Sequence, residues 1–296
     1  MALVTILTPT YNRAARLGDL FRSLQCQTLK DFEWLIVDDG STDETEAVVQ
    51  GFLKAADFPV RYLHRENGGK HRALNTGIAH ISTLLTFIVD SDDTLLPEGI
   101  ETISRFHEKY RDTPGIGVYS FLRTSPQRGI LLQMPQAELI GSYVEDRIRK
   151  SRPGDMAEVF FTEVLREFPF PAFPGERFLS EDVVWIPLGL KYRTVFINQA
   201  IYVCEYLEDG LTRNDKKHKF ASPLGSMLRG KRLMQRACGW KANIRGAIIY
   251  SCYKREVRGP LPETVKPETA GSRLLVALMF PMGLVFNKKW RKQGNV

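Results

Sequence analysis

The sequence is poor in the residues that build disulfide-bonded or zinc-stabilised proteins. Four cysteines occur in 296 residues, and they lie far apart without forming a Cys-x-x-Cys pair. They are Cys26, Cys204, Cys238 and Cys252. The five histidines form no cluster either. This pattern favours a reducing compartment and argues against structural zinc.

Long hydrophobic runs are also missing. No uninterrupted apolar run reaches the roughly 18 residues typical of a membrane-spanning helix. Residues 1–10 lack a basic segment and a cleavage site, so we predict no secretory signal and a cytoplasmic protein. With 43% hydrophobic residues, the chain can bury the core of one large α/β domain, with or without an extension.

Negative charge is scarce in the last quarter of the chain. Residues 225–296 carry 15 lysines and arginines against three glutamates, a net charge of +12, which leaves −5 on residues 1–224. This asymmetry indicates two surfaces with different partners. The basic region shows no recognised nucleic-acid motif and few interleaved aromatic residues, so we expect no nucleic-acid partner.

The most informative stretch is Asp90-Ser91-Asp92-Asp93, which follows an apolar run at 84–89 that predicts a buried strand. Three carboxylates in four residues repel one another unless a cation lies among them. Oxygen ligands at Asp90, Asp92 and Asp93 suit Mg²⁺ or Mn²⁺, which take further ligands from water and substrate phosphates. The alternative, for this motif in isolation, is a solvated acidic loop that caps the following helix.

Polar loops follow three earlier predicted strands as well. The strands are predicted at 3–8, 32–37 and 60–63, and each is followed by a segment with helical apolar spacing. An open α/β sheet binds ligands at the carboxyl ends of its strands. We therefore expect Tyr11, Asp38, Asp39, Lys70 and the acidic stretch to share one edge of a right-handed α/β sheet.

Two of these loops also allow local explanations. Ser41 and Glu44 have the spacing of a capping box for the helix that follows. Gly68 and Gly69, placed before Lys70 at a helix start, predict free backbone N–H groups beside a positive charge, which would suit a phosphate. The spacing is not that of a P-loop.

The four loops together resemble the successive motifs of the family 2 glycosyltransferases with the GT-A fold. The motifs are Thr8-Pro9-Thr10-Tyr11-Asn12-Arg13, Val37-Asp38-Asp39-Gly40-Ser41-Thr42-Asp43, Asn67-Gly68-Gly69-Lys70 with Ala73-Leu74-Asn75-Thr76-Gly77, and Asp90-Ser91-Asp92-Asp93. The resemblance is close over about the first 110 residues and looser to about residue 210. It implies an α/β fold of the GT-A type, the nucleotide-diphospho-sugar transferase fold with a Rossmann-like mixed sheet.

The resemblance also implies roles for the matching residues. Tyr11 would lie against the base, Asp38 or Asp39 would bond to the uracil or ribose, and Lys70 would lie near the nucleotide. Asp90 and Asp92, with Asp93, would act on the ribose and the metal. Leu74 stands where the family often has arginine, so the contact of that arginine is in doubt. The predicted nucleotide-binding residues are Thr8, Pro9, Tyr11, Asp38, Asp39, Lys70, Asp90 and Ser91, and the predicted metal ligands are Asp90, Asp92 and Asp93.

In the second half, Ser180-Glu181-Asp182 resembles the family's Glu-Asp motif, whose aspartate deprotonates the acceptor hydroxyl in inverting transfer. A positioned carboxylate that accepts this proton contributes about 10²–10⁴-fold to the rate. We predict this role for Asp182. The alternative is that Ser180 caps a helix whose first turn favours acidic residues.

Beyond this motif, residues 192–197 and 200–206 predict a strand pair that turns at Asn198-Gln199. The segment Glu208-Asp209-Gly210-Leu211-Thr212-Arg213 and the basic residues 216–219 would then reach over the donor. His218 is a candidate for completing a metal shell, although a lone histidine among lysines is usually solvated.

The basic tail predicts amphipathic helices. Residues 274–286 form an apolar segment that is interrupted by Pro281 and Gly283 and flanked by basic residues and Trp290. We predict a helix too short to span a bilayer, suited to lie on an anionic membrane surface. The alternative is that it packs on the catalytic domain.

These observations predict a GT-A catalytic domain at 1–224, with a nucleotide-sugar half at 1–110 and an acceptor half at 111–224, and a basic helical extension at 225–296. The predicted enzyme is a Mn²⁺- or Mg²⁺-dependent, inverting hexosyl- or N-acetylhexosaminyltransferase on the inner face of the plasma membrane. Its donor would be a UDP-sugar, and its acceptor a glycan or a polyprenyl-diphosphate-linked saccharide in polysaccharide biosynthesis. The alternatives are a sugar nucleotidyltransferase and a non-catalytic nucleotide-sugar-binding subunit.

Overall fold

The four apolar runs in the first 90 residues all form strands. The computed structural model describes residues 2–204 and 215–294 of the chain. In it, the runs become β1 (Val4–Thr10), β2 (Phe32–Asp38), β3 (Val60–His64) and β4 (Leu85–Ile88), joined by the helices α1 (Leu17–Gln25), α2 (Thr45–Ala55) and α3 (Lys70–Ala79). All seven residues of β1 are buried, as expected for a parallel strand covered on both faces.

The remaining strands extend this parallel group into a mixed sheet. They are β5 (Thr94–Leu95), β6 (Ile116–Ser125), β7 (Gly129–Ile130), β8 (Glu138–Gly141), β9 (Met156–Phe161) and β10 (Arg193–Val203), with α4 (Gly99–Tyr110) and α5 (Thr162–Arg166) between them. The strand order is β3-β2-β1-β4-β9-β6-β10-β5, and β9 runs antiparallel to both of its neighbours. The predicted mixed α/β sheet is therefore confirmed.

The parallel pairing brings the carboxyl ends of four strands, β1 to β4, to one edge. Thr10 is in register with Asp38 on β2, and Asp38 is in register with His64 on β3. On the other side of β1, Leu7 is in register with Ile88 on β4. The loops after β1, β2 and β4 therefore lie at the same edge of the sheet, which is where the predicted nucleotide site was expected.

The predicted turn at Asn198-Gln199 is wrong. Residues 193–203 form the single strand β10, which pairs with β6 in parallel and shifts register between Ile197 and Ala200. The side chain of Asn198 explains why the strand continues through this position. It accepts a hydrogen bond from the Met134 N–H at 2.9 Å and donates to the Met134 carbonyl at 2.7 Å. These bonds hold an irregular strand where a reversal was expected. The predicted loop at 208–213 lies outside the described residues.

The chain divides into two units. The first contains Met1–Ser142, Arg152–Pro169 and Lys191–Glu205, and the second contains Tyr143–Ser151, Phe170–Leu190 and Tyr206–Val296. The second unit is helical in its described part. Its helices are α6 (Asp182–Lys191), α7 (Asp215–Ala221), α8 (Pro223–Leu233), α9 (Trp240–Lys254) and α10 (Ala270–Gly294), with a π-helical segment at Tyr143–Arg149 and a 3₁₀ turn at Arg236–Cys238.

This division differs from the predicted boundary between residues 224 and 225. The predicted boundary falls inside α8, and residues 170–190 group with the C-terminal helices. The buried carboxylate of Glu176 shows why. It accepts hydrogen bonds from the N–H groups of Leu224 at 2.6 Å and Gly225 at 2.8 Å, so it caps the first turn of α8.

Glycine permits close packing between α8 and α9. A Cβ atom at Gly230 would lie 2.6 Å from the Gly246 carbonyl oxygen, and one at Gly246 would lie 2.5 Å from the Gly230 carbonyl oxygen. No larger residue fits at this crossing without a backbone shift.

The helix α10 is longer than predicted. It runs for 25 residues through Pro281, and it is the one helix in the described part of the chain that is long and apolar enough to cross a membrane by length and composition. The prediction of a segment too short to span is therefore wrong. Val276, Gly283 and Asn287 are buried, whereas Leu274, Leu278 and Val285 are 60–62% exposed.

Candidate functional site

The two carboxylates that end β2 are buried and hydrogen-bonded. Asp38 accepts hydrogen bonds from the Tyr62 hydroxyl at 2.7 Å and from the Ser41 N–H at 2.8 Å. Burial and the hydrogen bond to Asp38 raise the pKa of Tyr62, so this phenol keeps its proton. Asp39 pairs with Arg65 and accepts hydrogen bonds from the N–H groups of Gly68 and Gly69.

This arrangement corrects the predicted phosphate cradle. The N–H of Gly68 lies 3.1 Å from both carboxylate oxygens of Asp39, and that of Gly69 lies 2.6 Å from one of them. Gly69 has φ = 97°, a conformation that side chains disfavour. The two glycine N–H groups thus bind a protein carboxylate, and the expectation that they are free is wrong. Asp39 instead tethers the loop that begins α3.

The loop after β1 is tied to the loop after β2. The Asn12 N–H donates to the Ser41 hydroxyl at 2.9 Å, and the Asn12 side-chain oxygen accepts from the Thr42 N–H at 2.8 Å. Ser41 therefore does not cap α2, which begins at Thr45 and uses Asp43 to accept from the Thr45 N–H at 3.1 Å. The capping-box alternative is excluded.

The other predicted residues of the β1 loop differ in exposure. Thr8 and Pro9 are buried within β1, and the Thr8 hydroxyl accepts a hydrogen bond from the Trp34 indole at 2.9 Å. Tyr11, just after the strand, is 45% exposed, as an aromatic ring available for stacking should be. Ser91, after β4, is buried.

The acidic loop after β4 contacts the start of α3 and the end of β10. Lys70 Nζ lies 2.5 Å from an Asp90 carboxylate oxygen. The Tyr202 hydroxyl accepts from the Asp90 N–H at 3.1 Å and donates to the Asp93 carboxylate at 2.7 Å. The Arg123 guanidinium lies over the Tyr202 ring, 4.2 Å from its centroid. Three elements therefore hold the acidic loop in place.

The three carboxyls have different proton affinities. Burial favours the neutral form of Asp90, but the cations of Lys70 and Arg123 outweigh it and lower the pKa. Burial and the charge of Asp90 raise the pKa of Asp92. The same two causes raise the pKa of Asp93 to about 7. Burial, followed by the charge of Asp90, therefore makes Asp92 and Asp93 hold their protons more tightly than ordinary carboxyls do.

The fit of these residues to a divalent metal is partial. In the described ranges, no group of three or more Asp, Glu, His or Cys side chains is arranged around a common metal position. Asp90 and Asp93 each bond to a protein partner, Lys70 and Tyr202. Asp92 is half-buried. Mg²⁺ and Mn²⁺ often bind through one or two carboxylates plus substrate phosphates, so three protein ligands are not required. The three-ligand assignment stays a prediction.

Asp182 begins α6 in the second unit. Its Oδ2 accepts a hydrogen bond from Arg229 Nε at 2.6 Å, and both side chains are largely buried. Its Oδ1 is buried and has no hydrogen-bond partner among the described residues. A buried acceptor atom without a partner is costly in a folded protein, and such atoms often mark ligand sites. His218, the other candidate in this unit, stacks on Phe178 with ring centroids 6.0 Å apart.

Two residues beside the acidic loop, Tyr202 and Arg123, were not predicted from the sequence. Tyr202 lies near the end of β10, in an apolar segment typical of a protein core. Arg123 lies in β6, whose first seven residues are all buried, and a cation in such a strand is a signal that could have been noticed. Both residues lie far from the motif in sequence and reach it only through the sheet.

A mixed sheet with acidic loops after its parallel strands is the arrangement of the GT-A fold, the fold of the nucleotide-diphospho-sugar transferases. Solved structures show the same fold. S. aureus TarS (residues 1–349) in complex with UDP-GlcNAc aligns with a TM-score of 0.62 at 16% identity, covering 99% of this chain and 92% of TarS. The mannosyltransferase PcManGT from Pyrobaculum calidifontis, in complex with GDP-Man and Mn²⁺, aligns with a TM-score of 0.58 at 17% identity, covering 99% and 83%.

Sequence comparison identifies the family. The model of glycosyl transferase family 2 matches residues 5–155. The glycosyltransferase GlyG of Streptococcus pneumoniae is 37% identical over 226 residues, which cover 72% of this chain and 74% of GlyG. The chain belongs to glycosyltransferase family 2.

Other relatives differ in length. The GalNAc(5)-diNAcBac-PP-undecaprenol beta-1,3-glucosyltransferase of Campylobacter jejuni is 25% identical over 234 residues, covering 76% of this chain and 72% of that enzyme. An uncharacterised glycosyltransferase of Rickettsia felis is 30% identical over 193 residues, and the match spans 30% of its length. The chain therefore covers less than a third of some relatives that it resembles.

Proposed function

We propose that this protein is a metal-dependent, inverting glycosyltransferase that moves a sugar from a UDP-sugar to a glycan or lipid-linked saccharide. The observation that carries the proposal is the acidic loop after β4, held by Lys70, Tyr202 and Arg123 at the carboxyl edge of the sheet. An excess of carboxylates beside a fixed lysine suits a nucleotide diphosphate with its cation.

The first unit would bind the donor. The exposed ring of Tyr11 is available to stack on the base, and Asp38 or Asp39 would accept a hydrogen bond from the uracil or ribose. Both carboxylates are held by backbone N–H groups, so they are oriented before a ligand arrives. Preorganised groups bind with a smaller entropy cost. Asp90 and Ser91 would lie beside the ribose.

Asp92, assisted by Asp90 and Asp93, would hold Mn²⁺ or Mg²⁺ together with oxygens of the diphosphate. When bound, such a cation neutralises the charge that develops on the leaving diphosphate. Lys70 adds a second cation near the nucleotide, and its ion pair with Asp90 fixes the position of its ammonium group. PcManGT, of the same fold, was crystallised with Mn²⁺.

The second unit would supply the base. Arg229 orients the carboxylate of Asp182 through Oδ2, which leaves Oδ1 to accept the proton of an acceptor hydroxyl. An oriented carboxylate base contributes about 10²–10⁴-fold to such a step. Direct attack of the acceptor oxygen would invert the anomeric centre, since it uses no covalent sugar intermediate.

The acceptor is proposed to be linked to a lipid. One relative acts on an undecaprenol-linked saccharide by its name. The exposed apolar side chains of α10, followed by Lys288, Lys289, Arg291 and Lys292, suit contact with an anionic membrane. We therefore propose that the protein works at the inner face of the plasma membrane.

Calorimetric titration tests the donor site. The purified protein is titrated with UDP, GDP and dTDP, first with Mn²⁺ and then with EDTA, and the series is repeated on Asp92→Ala. We expect binding of UDP in preference to the other nucleotides, dependent on Mn²⁺ and lost in the variant. Asp112→Ala is the matched control, because Asp112 is exposed and remote in sequence from the loops. If the folded protein binds no nucleotide, the loop carboxylates are structural and the proposal is wrong.

A further inference from the structure

The second unit contains a cavity of about 410 Å³ between its helices. Residues of α7, α8, α9 and α10 line it. Pockets for small ligands usually measure about 300–1,000 Å³. The cavity is therefore large enough for one charged head group and a short length of a single chain.

Five of the twelve residues that line this cavity are basic. Its lysines and arginines are Lys216, Lys219, Arg229, Lys241 and Arg245, and none of the twelve lining residues is acidic. Partial desolvation and the neighbouring charge of Arg229 lower the pKa of Arg245, while Asp182 acts in the opposite direction. Five cations that line one cavity without an acidic lining residue would attract a multivalent anion. The arginine forks suit phosphate oxygens in particular.

Six of the lining residues are apolar or aromatic. They are Ile244, Ile248, Ile249, Tyr253, Phe286 and Trp290. Ile244 and Ile248 lie one turn apart on α9, and so do Phe286 and Trp290 on α10, whose ring centroids are 5.1 Å apart. Tyr253 on α9 and Trp290 on α10 also pack together, with ring centroids 6.3 Å apart, so the two helices form a joint apolar wall. Sugars and free phosphate gain little from such a wall, but a hydrocarbon chain does.

One cation connects the cavity to the candidate base. Arg229 lines the cavity, and its Nε donates to Asp182 at 2.6 Å. An anion bound by the basic lining residues would therefore be separated from Asp182 by the side chain of Arg229. A saccharide attached to that anion would reach the carboxylate. A membrane phospholipid has no saccharide to present, so this connection favours an acceptor over a bulk lipid.

We propose that the cavity binds the phosphate or diphosphate of the lipid-linked acceptor, with the first units of its single apolar chain against the isoleucine and aromatic wall. This inference rests on the proposed function and adds to it the residues that recognise the acceptor. The chemistry required is a phosphoryl anion joined to one hydrocarbon chain. The exposed apolar face of α10 would continue the path of that chain.

Binding of farnesyl diphosphate to the full-length protein tests the proposal. The comparison probes are farnesol, inorganic pyrophosphate and phosphatidylglycerol vesicles. We expect farnesyl diphosphate to bind at least about tenfold more tightly than farnesol or pyrophosphate, because farnesol lacks the diphosphate and pyrophosphate lacks the hydrocarbon chain. The double variant Lys241→Glu/Arg245→Glu, at two exposed positions, should weaken farnesyl diphosphate binding by about tenfold or more. Lys254→Glu, on the same helix outside the cavity, is the matched control and should bind like the parent protein.

Titration of the same proteins with UDP and Mn²⁺ separates the two proposals. UDP binding without farnesyl diphosphate binding overturns the cavity proposal and leaves the proposed function standing. Farnesyl diphosphate binding without UDP binding supports the cavity as a lipid-phosphate site and overturns the proposed function. Equal binding by the double variant and the parent means that the ligand sits elsewhere. Binding of the vesicles with no binding of farnesyl diphosphate means that the basic residues recognise a bilayer, and it also overturns the proposal.

Discussion

The two units of this protein gather their charged residues in different ways. In the first unit, the residues predicted to bind the nucleotide lie at or just after the ends of strands or at the start of α3, and parallel pairing brings these ends together. In the second unit, the cations around the cavity come from three helices, α7, α8 and α9, whose positions relative to one another no sequence motif specifies. The comparison teaches that the residues of a site at strand ends can be predicted from the sequence, because they stand next to recognisable strands. The residues of a site between helices cannot, because the site depends on how the helices pack.

The largest expected effect separates the chemistry proposed for the second unit from the donor binding proposed for the first. Asp182→Asn should lower kcat by about 10²–10⁴-fold, because an amide accepts the Arg229 hydrogen bond but cannot take the acceptor proton. The affinity for UDP with Mn²⁺ should stay within about twofold of the parent value, since the donor is proposed to bind elsewhere. Glu181→Gln is the neighbouring control and should retain activity. A variant with more than about a tenth of the parent kcat would show that Asp182 is not the base.

The next largest expected effect is a loss of membrane binding, and it concerns only the second unit. Leu274→Ser/Leu278→Ser replaces two side chains that are 62% and 61% exposed on α10. If they enter a membrane surface, partitioning onto anionic vesicles in a sedimentation assay should fall by roughly tenfold or more. Raising the salt concentration should weaken the binding of both the parent protein and the variant to the vesicles, because the basic residues also contribute. Unchanged sedimentation would mean that this face of α10 does not contact the bilayer.

Tyr202→Phe tests how far the donor site of the first unit depends on tertiary contacts. The change removes the hydrogen bond to Asp93 and the acceptor for the Asp90 N–H. Leaving these buried groups unpaired should lower the free energy of unfolding by about 1–3 kcal/mol and weaken metal-dependent UDP binding. Urea denaturation and calorimetry measure the two effects. Tyr119→Phe is a matched buried control, since its hydroxyl makes a single 3.3 Å contact with His107. Equal UDP affinity in both variants would argue against a supporting role for Tyr202.

The smallest expected effect probes the packing of the helical unit. Gly230→Ala places a Cβ atom 2.6 Å from the Gly246 carbonyl oxygen. Overpacking costs about 1–3 kcal/mol, and the better helix propensity of alanine recovers up to about 1 kcal/mol. A net loss of about 1–2 kcal/mol should appear in urea denaturation. Gly51→Ala on α2, which has open space at its Cβ, should instead gain about 0.5–1 kcal/mol. A stabilised Gly230→Ala protein would show that the α8–α9 crossing is looser than described.

The parts of the fold predicted correctly are those with local signals. Apolar runs that end in Asp, Asn, Pro or Gly predicted β1 to β4 and the edge where their loops meet. The predictions failed where a distant group changed the outcome. Asp39 occupies the N–H groups of Gly68 and Gly69, and Asn198 bonds to Met134 instead of forming a turn. Such partners are 29 to 64 residues apart in the chain, so no local pattern reveals them.

The helix α10 and the boundary of the units show the same limit. Pro281 interrupts the apolar pattern, but α10 continues through it, and packing of Val276, Gly283 and Asn287 supports the long helix. The predicted boundary followed the change in charge at residue 225. The structure follows contacts instead, because Glu176 and Asp182 bond to residues of α8.

The sequence by itself determined the strand-helix alternation, the acidic and aromatic loops at the strand ends and the family. These follow from hydrophobic period and residue type, which act over a few positions. The tertiary structure alone decided that Tyr202 and Arg123 support the acidic loop, that Arg229 holds Asp182, and that five cations face an apolar wall. The physical reason is that hydrogen bonds and charges act over a few ångströms in space, and only packing brings distant parts of the chain that close.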